Sequence, residues 1–419
     1  MEASTEFRTC RPVSQPIAWL IWFFVSLFYF YEYFIRTAPS VMMNDLGSYF
    51  NLTAAGLGGL IGAYYYSYAP MQIGAGVLLD YYGGKKTLPI AAIFCGIGSL
   101  LFTTHSFFLA FLGRLLMGAG SAFGFIGVIF IATNWISKKN LALLTGLTQT
   151  IGMLGAILGQ VFVAHIMASE GWKSVWVVAG IAGIILTILL WLIIPRRPPE
   201  VIEELSKQGF TRVKNNLLYV IKNPQTWLCG LFGGLIFVPT AAFAMLWAIP
   251  FFTTGYGFST HQAALLTSIL MMGWMLGSPL MGFISDRLKR RKIVMLFGIL
   301  IALFCFLLIE FNSHLSFNVL AVLMGLIGIC SGVELTTIAL SCELNLSSAK
   351  GSAIGVTNFI VFLCSAIATP LVGIILQKIG NKNHFTFHDY QTALLLIPIG
   401  LVLGTLILYW TKESGTKQL

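Results

Sequence analysis

Apolar residues in this chain are not confined to one face of each predicted helix. They fill whole stretches, and short polar breaks separate the stretches. A helix that is apolar all round is surrounded by lipid or protein, and roughly 20 such residues cross a bilayer. The runs predict spans at 16–40, 54–79, 88–105, 107–133, 142–168, 174–195, 225–252, 260–285, 292–311, 315–341, 351–378 and 391–411. The one long polar break runs from Pro195 to Asn223 and begins PRRPPEVIEELSKQGFTRVKNN. It divides the chain into an N-terminal six-helix half (1–195), a cytoplasmic linker with a short surface helix (196–223) and a C-terminal six-helix half (224–419). The expected fold class is an all-α polytopic membrane protein with twelve transmembrane helices in two pseudo-symmetric halves.

Composition narrows the class further. The 419 residues are 57% hydrophobic and 10% charged, with mean hydropathy +0.85. Soluble chains carry about 25% charged residues, so soluble enzymes, nucleic-acid binders and disordered proteins are excluded. The net charge of +10 follows topology: with both termini inside, 20 of the 25 Lys and Arg fall in cytoplasmic segments and 3 in outer loops. That bias orients the chain as a multi-pass membrane protein with cytoplasmic termini. Seven cysteines, mostly within apolar runs and without a CxxC pair, read as small buried hydrophobes and form no disulfide frame or metal site. The first apolar run is too long for the core of a signal peptide and reads as the first span. No Walker A sequence is present, so ATP does not drive this chain, and no cofactor is implied.

The halves also repeat. Gly76-Val-Leu-Leu-Asp80-Tyr-Tyr-Gly83-Gly-Lys85-Lys86 follows the second span, and Gly282-Phe-Ile-Ser-Asp286-Arg287-Leu-Lys-Arg290-Arg291-Lys292 follows the eighth. Internal duplication is typical of secondary transporters, with the substrate site between the halves near the midplane. These stretches resemble the signature loop of the major facilitator superfamily and its degenerate second copy, and the resemblance covers essentially the whole chain. It implies that Gly76, Asp80, Gly83 and Lys85, with Asp286 and Arg290, act as a conformational gate. Gly113-Arg114-Leu-Leu-Met-Gly118-Ala-Gly120 resembles the superfamily's second motif. Gly152-Met-Leu-Gly155-Ala156-Ile-Leu-Gly159 is similar to its antiporter motif, with Ala156 in place of proline. Within the superfamily, Phe28–Met42 and Tyr64–Asp80 are similar to the phagosomal amino-acid transporters of intracellular proteobacteria.

Charges inside spans are expensive and functional by default. Glu32 and Arg36 share a face of the first helix. Arg114 sits at similar depth on the fourth helix, so a Glu32–Arg114 pair is expected, with Glu32 the proton-coupling group. Arg36 either faces the cavity or snorkels to the headgroups. Glu334, beside small polar residues of the tenth span, suits a substrate amine or cation, whereas Glu310 reads as an interfacial carboxylate. Tyr64, Tyr68 and Gln72 form one polar stripe. Trp247, Trp274 and Asn358 complete the candidate substrate-binding set, with Gln149 and Gln160 as further polar positions.

Arginines for a carboxylate and acids for an ammonium point to a small zwitterion such as an amino acid. It would be imported with protons by alternating access, through one chain acting as a monomer. Two alternatives stay open. The intramembrane arginines favour an organic-anion or sugar-phosphate carrier, although the seventh span lacks Arg, and the linker leaves room for a transporter-like solute receptor. No catalytic cluster appears at helical spacing.

Overall fold

The computed structural model describes residues 14–136, 141–196, 214–312, 314–346, 349–380 and 385–413. Linker residues 197–213 and the side chain of Asp80 lie outside the described residues. Among the described residues, eleven stretches are long and apolar enough to cross a membrane: α1 (Gln15–Val41), α3 (Gly84–Phe102), α4 (Phe107–Ala132), α5 (Leu147–Met167), α6 (Trp172–Ile193), α7 (Pro224–Gly255), α8 (Thr260–Leu288), α9 (Arg291–Phe311), α10 (Phe317–Glu343), α11 (Lys350–Ile379) and α12 (Phe387–Trp410). The 29-residue helix α2 (Ala54–Tyr82) is the twelfth crossing. With an even number of crossings, both chain ends lie on one side, here the terminal face, opposite the far face.

Packing repeats between the halves as the motifs do. In the first half α1 packs on α5, α2 on α4, and α3 on α4 and α6. In the second half α7 packs on α11, α8 on α10, and α9 on α10 and α12. Small residues make these approaches possible, since lipid supplies no hydrophobic drive between helices. A Cβ on Gly118 of α4 would collide with the Tyr64 carbonyl of α2, and one on Gly155 of α5 with the Phe30 carbonyl of α1. Gly118→Val therefore forces two backbones apart, beyond the usual 1–3 kcal/mol or so of overpacking. The expected result is loss of most of the monodisperse peak in size-exclusion chromatography of the solubilised protein.

The turn between α2 and α3 is tighter than the hydropathy pattern suggests, and α3 begins at Gly84 where a start at 88 is expected. Gly83 takes φ +77, a left-handed conformation that glycine adopts without strain. Its N–H closes α2 on the Leu79 carbonyl and its carbonyl accepts from the Thr87 hydroxyl at 2.9 Å. A short helix is present at 214–222, within the bounds expected for the linker, where Val220 packs against Ala349, Ala353 and Val356 at the start of α11.

The halves meet along two seams, α2 with α11 and α5 with α8. Near the far face the first seam is tight. A Cβ on Gly58 would lie 3.0 Å from Pro370 Cα, and one on Gly373 would strike the Ala54 carbonyl. Toward the terminal face it loosens: the Cβ position of Gly355 lies 3.5 Å from the Gln72 carbonyl, and that of Gly76 has nothing within 4 Å.

Candidate functional site

Tyr29, Tyr33 and Arg36 recur along α1 at helical spacing, with Glu32 one turn before Arg36. Arg36 Nη2 donates to both Glu32 carboxylate oxygens at 2.9 and 2.8 Å. The Tyr64 hydroxyl donates to Glu32 Oε2 at 2.8 Å and accepts from Arg36 Nε at 3.1 Å. Both charged residues are buried, and the guanidinium lies 4.4 Å from the Tyr33 ring centre, 4.5 Å from Tyr68 and 5.5 Å from Phe362. A buried ion pair persists only where further bonds and cation–π contacts offset its desolvation. Here one donor is left over, because Arg36 Nη1 has no hydrogen-bond partner.

The Glu32–Arg114 pair does not form, and Arg36 does not snorkel to the headgroups. Arg114 instead donates through Nη1 to the Ile35 carbonyl at 3.0 Å and through Nη2 to the Ile61 carbonyl at 3.2 Å. The reason is local. Pro39 carries no N–H, so the Ile35 carbonyl lacks its donor four residues on, and Arg114 takes that place. Its guanidinium lies 5.0 Å from the Tyr64 ring centre, which itself is 5.2 Å from that of Arg36. The cluster thus holds two guanidiniums and one carboxylate.

Between the halves, on the terminal-face side of Arg36, lies a narrow cavity. The first half lines it with Tyr29, Tyr33, Tyr68, Gln72, Phe125 and Gln149. The second half contributes Phe237, Trp274, Glu334, Leu335, Asn358 and Phe362, among others. Tyr33, Tyr68 and Phe362 form its roof, directly beneath the Arg36 guanidinium. Trp274 Nε1 and Gln149 Nε2 are buried donors without a partner. Glu334 opens the second segment of α10, which breaks between Ser331 and Glu334 where Gly332 abuts the backbone of α8. The carboxylate is buried, and no side chain among the described residues donates to it.

Of the candidate substrate-binding residues, Tyr68, Gln72, Trp274, Asn358 and Glu334 meet at this cavity. Tyr64 and Arg36 stand one layer behind it. Trp247 and Arg114 lie away from it; the Trp247 indole donates to the Thr369 carbonyl at 3.0 Å and ties α7 to α11. Reading single charges and the α2 stripe missed Tyr29 and Tyr33, although their four-residue spacing on α1 carries the same signal.

Among the gate candidates, Lys85 turns to α6 of its own half, where its ammonium donates to the Trp191 carbonyl. In the second copy Arg291, not its neighbour Arg290, makes the pairing: to Asp286 at 2.8 Å and Glu343 at 2.7 Å. Glu310, near the end of α9, does not snorkel outward. It is buried, both carboxylate oxygens lack a hydrogen-bond partner, and its backbone carbonyl accepts from Gln391.

A second polar junction crosses the other seam. Gln160 interrupts α5, with φ −114 and ψ −58. Its Nε2 donates to Ser40 Oγ of α1 at 3.0 Å and to the Ala244 carbonyl of α7 at 2.9 Å, while its Oε1 accepts from Thr267 of α8 at 2.7 Å. Ala244 lies where α7 widens to a π-helix over Pro239–Trp247, a local irregularity often found at functional sites.

The sequence profile of the Major Facilitator Superfamily matches residues 23–369 and 231–419. A protein named a probable sulfoacetate transporter, from Cupriavidus necator, is 26% identical over 278 residues, 64% of this chain and 64% of its own length. The probable L-galactonate transporter of Escherichia coli is 23% identical over 91% of this chain and 86% of its own. Among solved structures, an inward-facing, unoccupied bacterial homolog of the human lysosomal transporter Spinster superposes with a TM-score of 0.78. It is 18% identical, covering 95% of this chain and 98% of that one.

Proposed function

Since the chain belongs to the major facilitator superfamily, whose members are secondary transporters, we propose that its cargo is a small organic acid drawn into the cavity by the Arg36 cluster. The observation that carries this reading is a set of unsatisfied buried donors on the cavity wall and directly behind its roof. Arg36 Nη1, Trp274 Nε1 and Gln149 Nε2 are buried without partners, and an orphaned buried donor costs about 1–3 kcal/mol until a ligand supplies the acceptor. Two guanidiniums against one carboxylate leave the cluster around Tyr64 formally positive, which favours an anion at that end of the cavity, with Glu334 the acid at the other. The names of the Cupriavidus necator and Escherichia coli relatives, sulfoacetate and L-galactonate transporters, support the same class.

On this reading the substrate's anionic group parts the aromatic roof and competes with Glu32 for Arg36. The displaced carboxylate then stands in a dry site without its counter-charge and accepts a proton, so that proton and solute move together. Glu334 faces the other end of the solute and accepts from its hydroxyl groups. Alternating access would rock the two halves, 1–195 and 224–419, about the central cavity of a single chain. The bias of Lys and Arg supports the terminal face as the cytoplasmic one, in a bacterial inner membrane.

Glu334 also favours a second reading, a zwitterion with its ammonium on Glu334 and its carboxylate at Arg36. The resemblance of α1 and α2 to amino-acid carriers points the same way. Uptake of labelled sulfoacetate, galactonate and individual amino acids into proteoliposomes, with and without an inward proton gradient, separates the two. The expected result is saturable, gradient-accelerated uptake of an organic acid that amino acids do not compete. Amino-acid uptake lost in Glu334→Gln selects the zwitterion. Gradient-independent uptake removes the proton role of Glu32.

A further inference from the structure

We propose that the pocket at the α3–α6 corner of the terminal face holds the headgroup of an anionic phospholipid, with its acyl chains lying along the lipid-facing stripes of α3 and α6. Tyr82, Lys85, Lys86, Pro89, Trp191 and Arg196 line this pocket, together with Ile90, and none of the described residues lining it is acidic. It lies on the outside of the first half, well away from the cavity between the halves, and plays no part in the proposed transport chemistry.

Two features give the site its chemistry. The first is charge. Three cationic side chains converge from the first turn of α3 and the end of α6, where the backbone N–H groups opening α3 add partial positive charge. Lys85 is held in place by the Trp191 carbonyl and lies 5.1 Å from the Trp191 ring centre, while Lys86 and Arg196 are exposed and free to engage a ligand. Basic pockets between helices at a membrane surface suit phosphate-bearing headgroups.

The second feature is the apolar surface that leads away from the pocket. Exposed Val178, Ile181, Ile185, Ile188 and Trp191 run down α6 at helical spacing, and exposed Ile90, Phe94 and Ile97 run down α3. From Trp191 to Val178 the stripe spans about 20 Å at 1.5 Å per residue, comparable with one leaflet of a hydrocarbon core about 30 Å thick. Tyr82 and Trp191 stand at the junction, as aromatic residues do at the headgroup level. A free phosphate would use the basic head of this surface and leave the stripes idle. An amphiphile uses both.

The test is native mass spectrometry of the full-length protein released from detergent. Phosphatidylglycerol, or phosphatidylcholine of the same acyl chains, is supplied at equal concentration. The wild type should retain phosphatidylglycerol in preference to phosphatidylcholine. Lys86→Gln with Arg196→Gln should lower that preference about 25-fold, at about five-fold per basic group, and leave phosphatidylcholine retention unchanged, which also reports an intact fold. Lys86→Arg with Arg196→Lys should keep it. The preference should fall in high salt as the charges are screened. An unchanged preference in the neutral variant overturns the proposal. So does displacement of the lipid by inorganic phosphate at matched concentration, which would make the ligand a free anion.

Discussion

Glu32→Ala will destabilise the protein by about 3–5 kcal/mol, because it leaves Arg36 buried without its counter-charge, and it will lower uptake at least about 100-fold. The bonds set the scale. Arg36 holds both Glu32 oxygens, and Tyr64 bridges the two groups. Removing the carboxylate also leaves two guanidiniums around Tyr64 with no acid between them. Thermal unfolding in detergent should show the midpoint falling by several degrees. Glu32→Gln with Arg36→Gln should recover most of that fall, since replacing both members of a buried pair is far cheaper than removing one. Uptake should stay lost in the double variant if the pair binds solute and proton. A double variant that regains both stability and uptake would reduce the pair to a fastener of α1.

What could be read from the sequence was decided by how far each signal reaches. Span number, pseudo-symmetry and the intramembrane positions of Glu32, Arg36, Arg114 and Glu334 depend on composition and spacing along one helix. The structure has helices at all twelve predicted spans and carries these four charges within them. Partner choice depends on which neighbouring helix presents an unsatisfied group, and hydropathy is blind to that. Arg114 illustrates the limit: depth alone pairs it with Glu32, yet Pro39 empties the Ile35 carbonyl and Arg114 fills it. The proline was visible in the sequence; its consequence needed α4 beside α1. Lys85 and Arg291 show the same boundary. The duplicated loop locates the basic residues, but only packing reveals that Lys85 serves α6 and that Arg291, one residue beyond the expected Arg290, collects Asp286 and Glu343. Glu310 reads as interfacial because it lies near a helix end, yet helix packing buries it.

Gln160→Ala will shift the conformational balance of the two halves toward opening at the far face. The wild-type amide spans four helices: α5 carries it, α1 and α7 accept from it, and α8 donates to it. Ala244 and Thr267 belong to the second half, so two of its three bonds cross the seam and exist only while that face is closed. At about 0.5–1.5 kcal/mol each, their loss changes the open-to-closed ratio by about 5- to 150-fold. The Ser40 bond joins α5 to α1 within the first half and does not enter this difference. Spin labels at exposed Ser48 and Lys378, one on each half at the far face, should report a longer distance in Gln160→Ala than in the parent. Uptake should slow, because a carrier must populate both faces to cycle, while substrate affinity at the cavity, which Gln160 does not line, changes little in the state that binds. An unchanged distance distribution would mean that the glycine contacts of α2 with α11 close the far face without Gln160. Slowed uptake with lost affinity would place Gln160 in the substrate path. The amide's position favours the first outcome, a balance shift: it is wholly buried and satisfied on both its nitrogen and its oxygen, so it has nothing left to offer a solute and much to lose when the halves part.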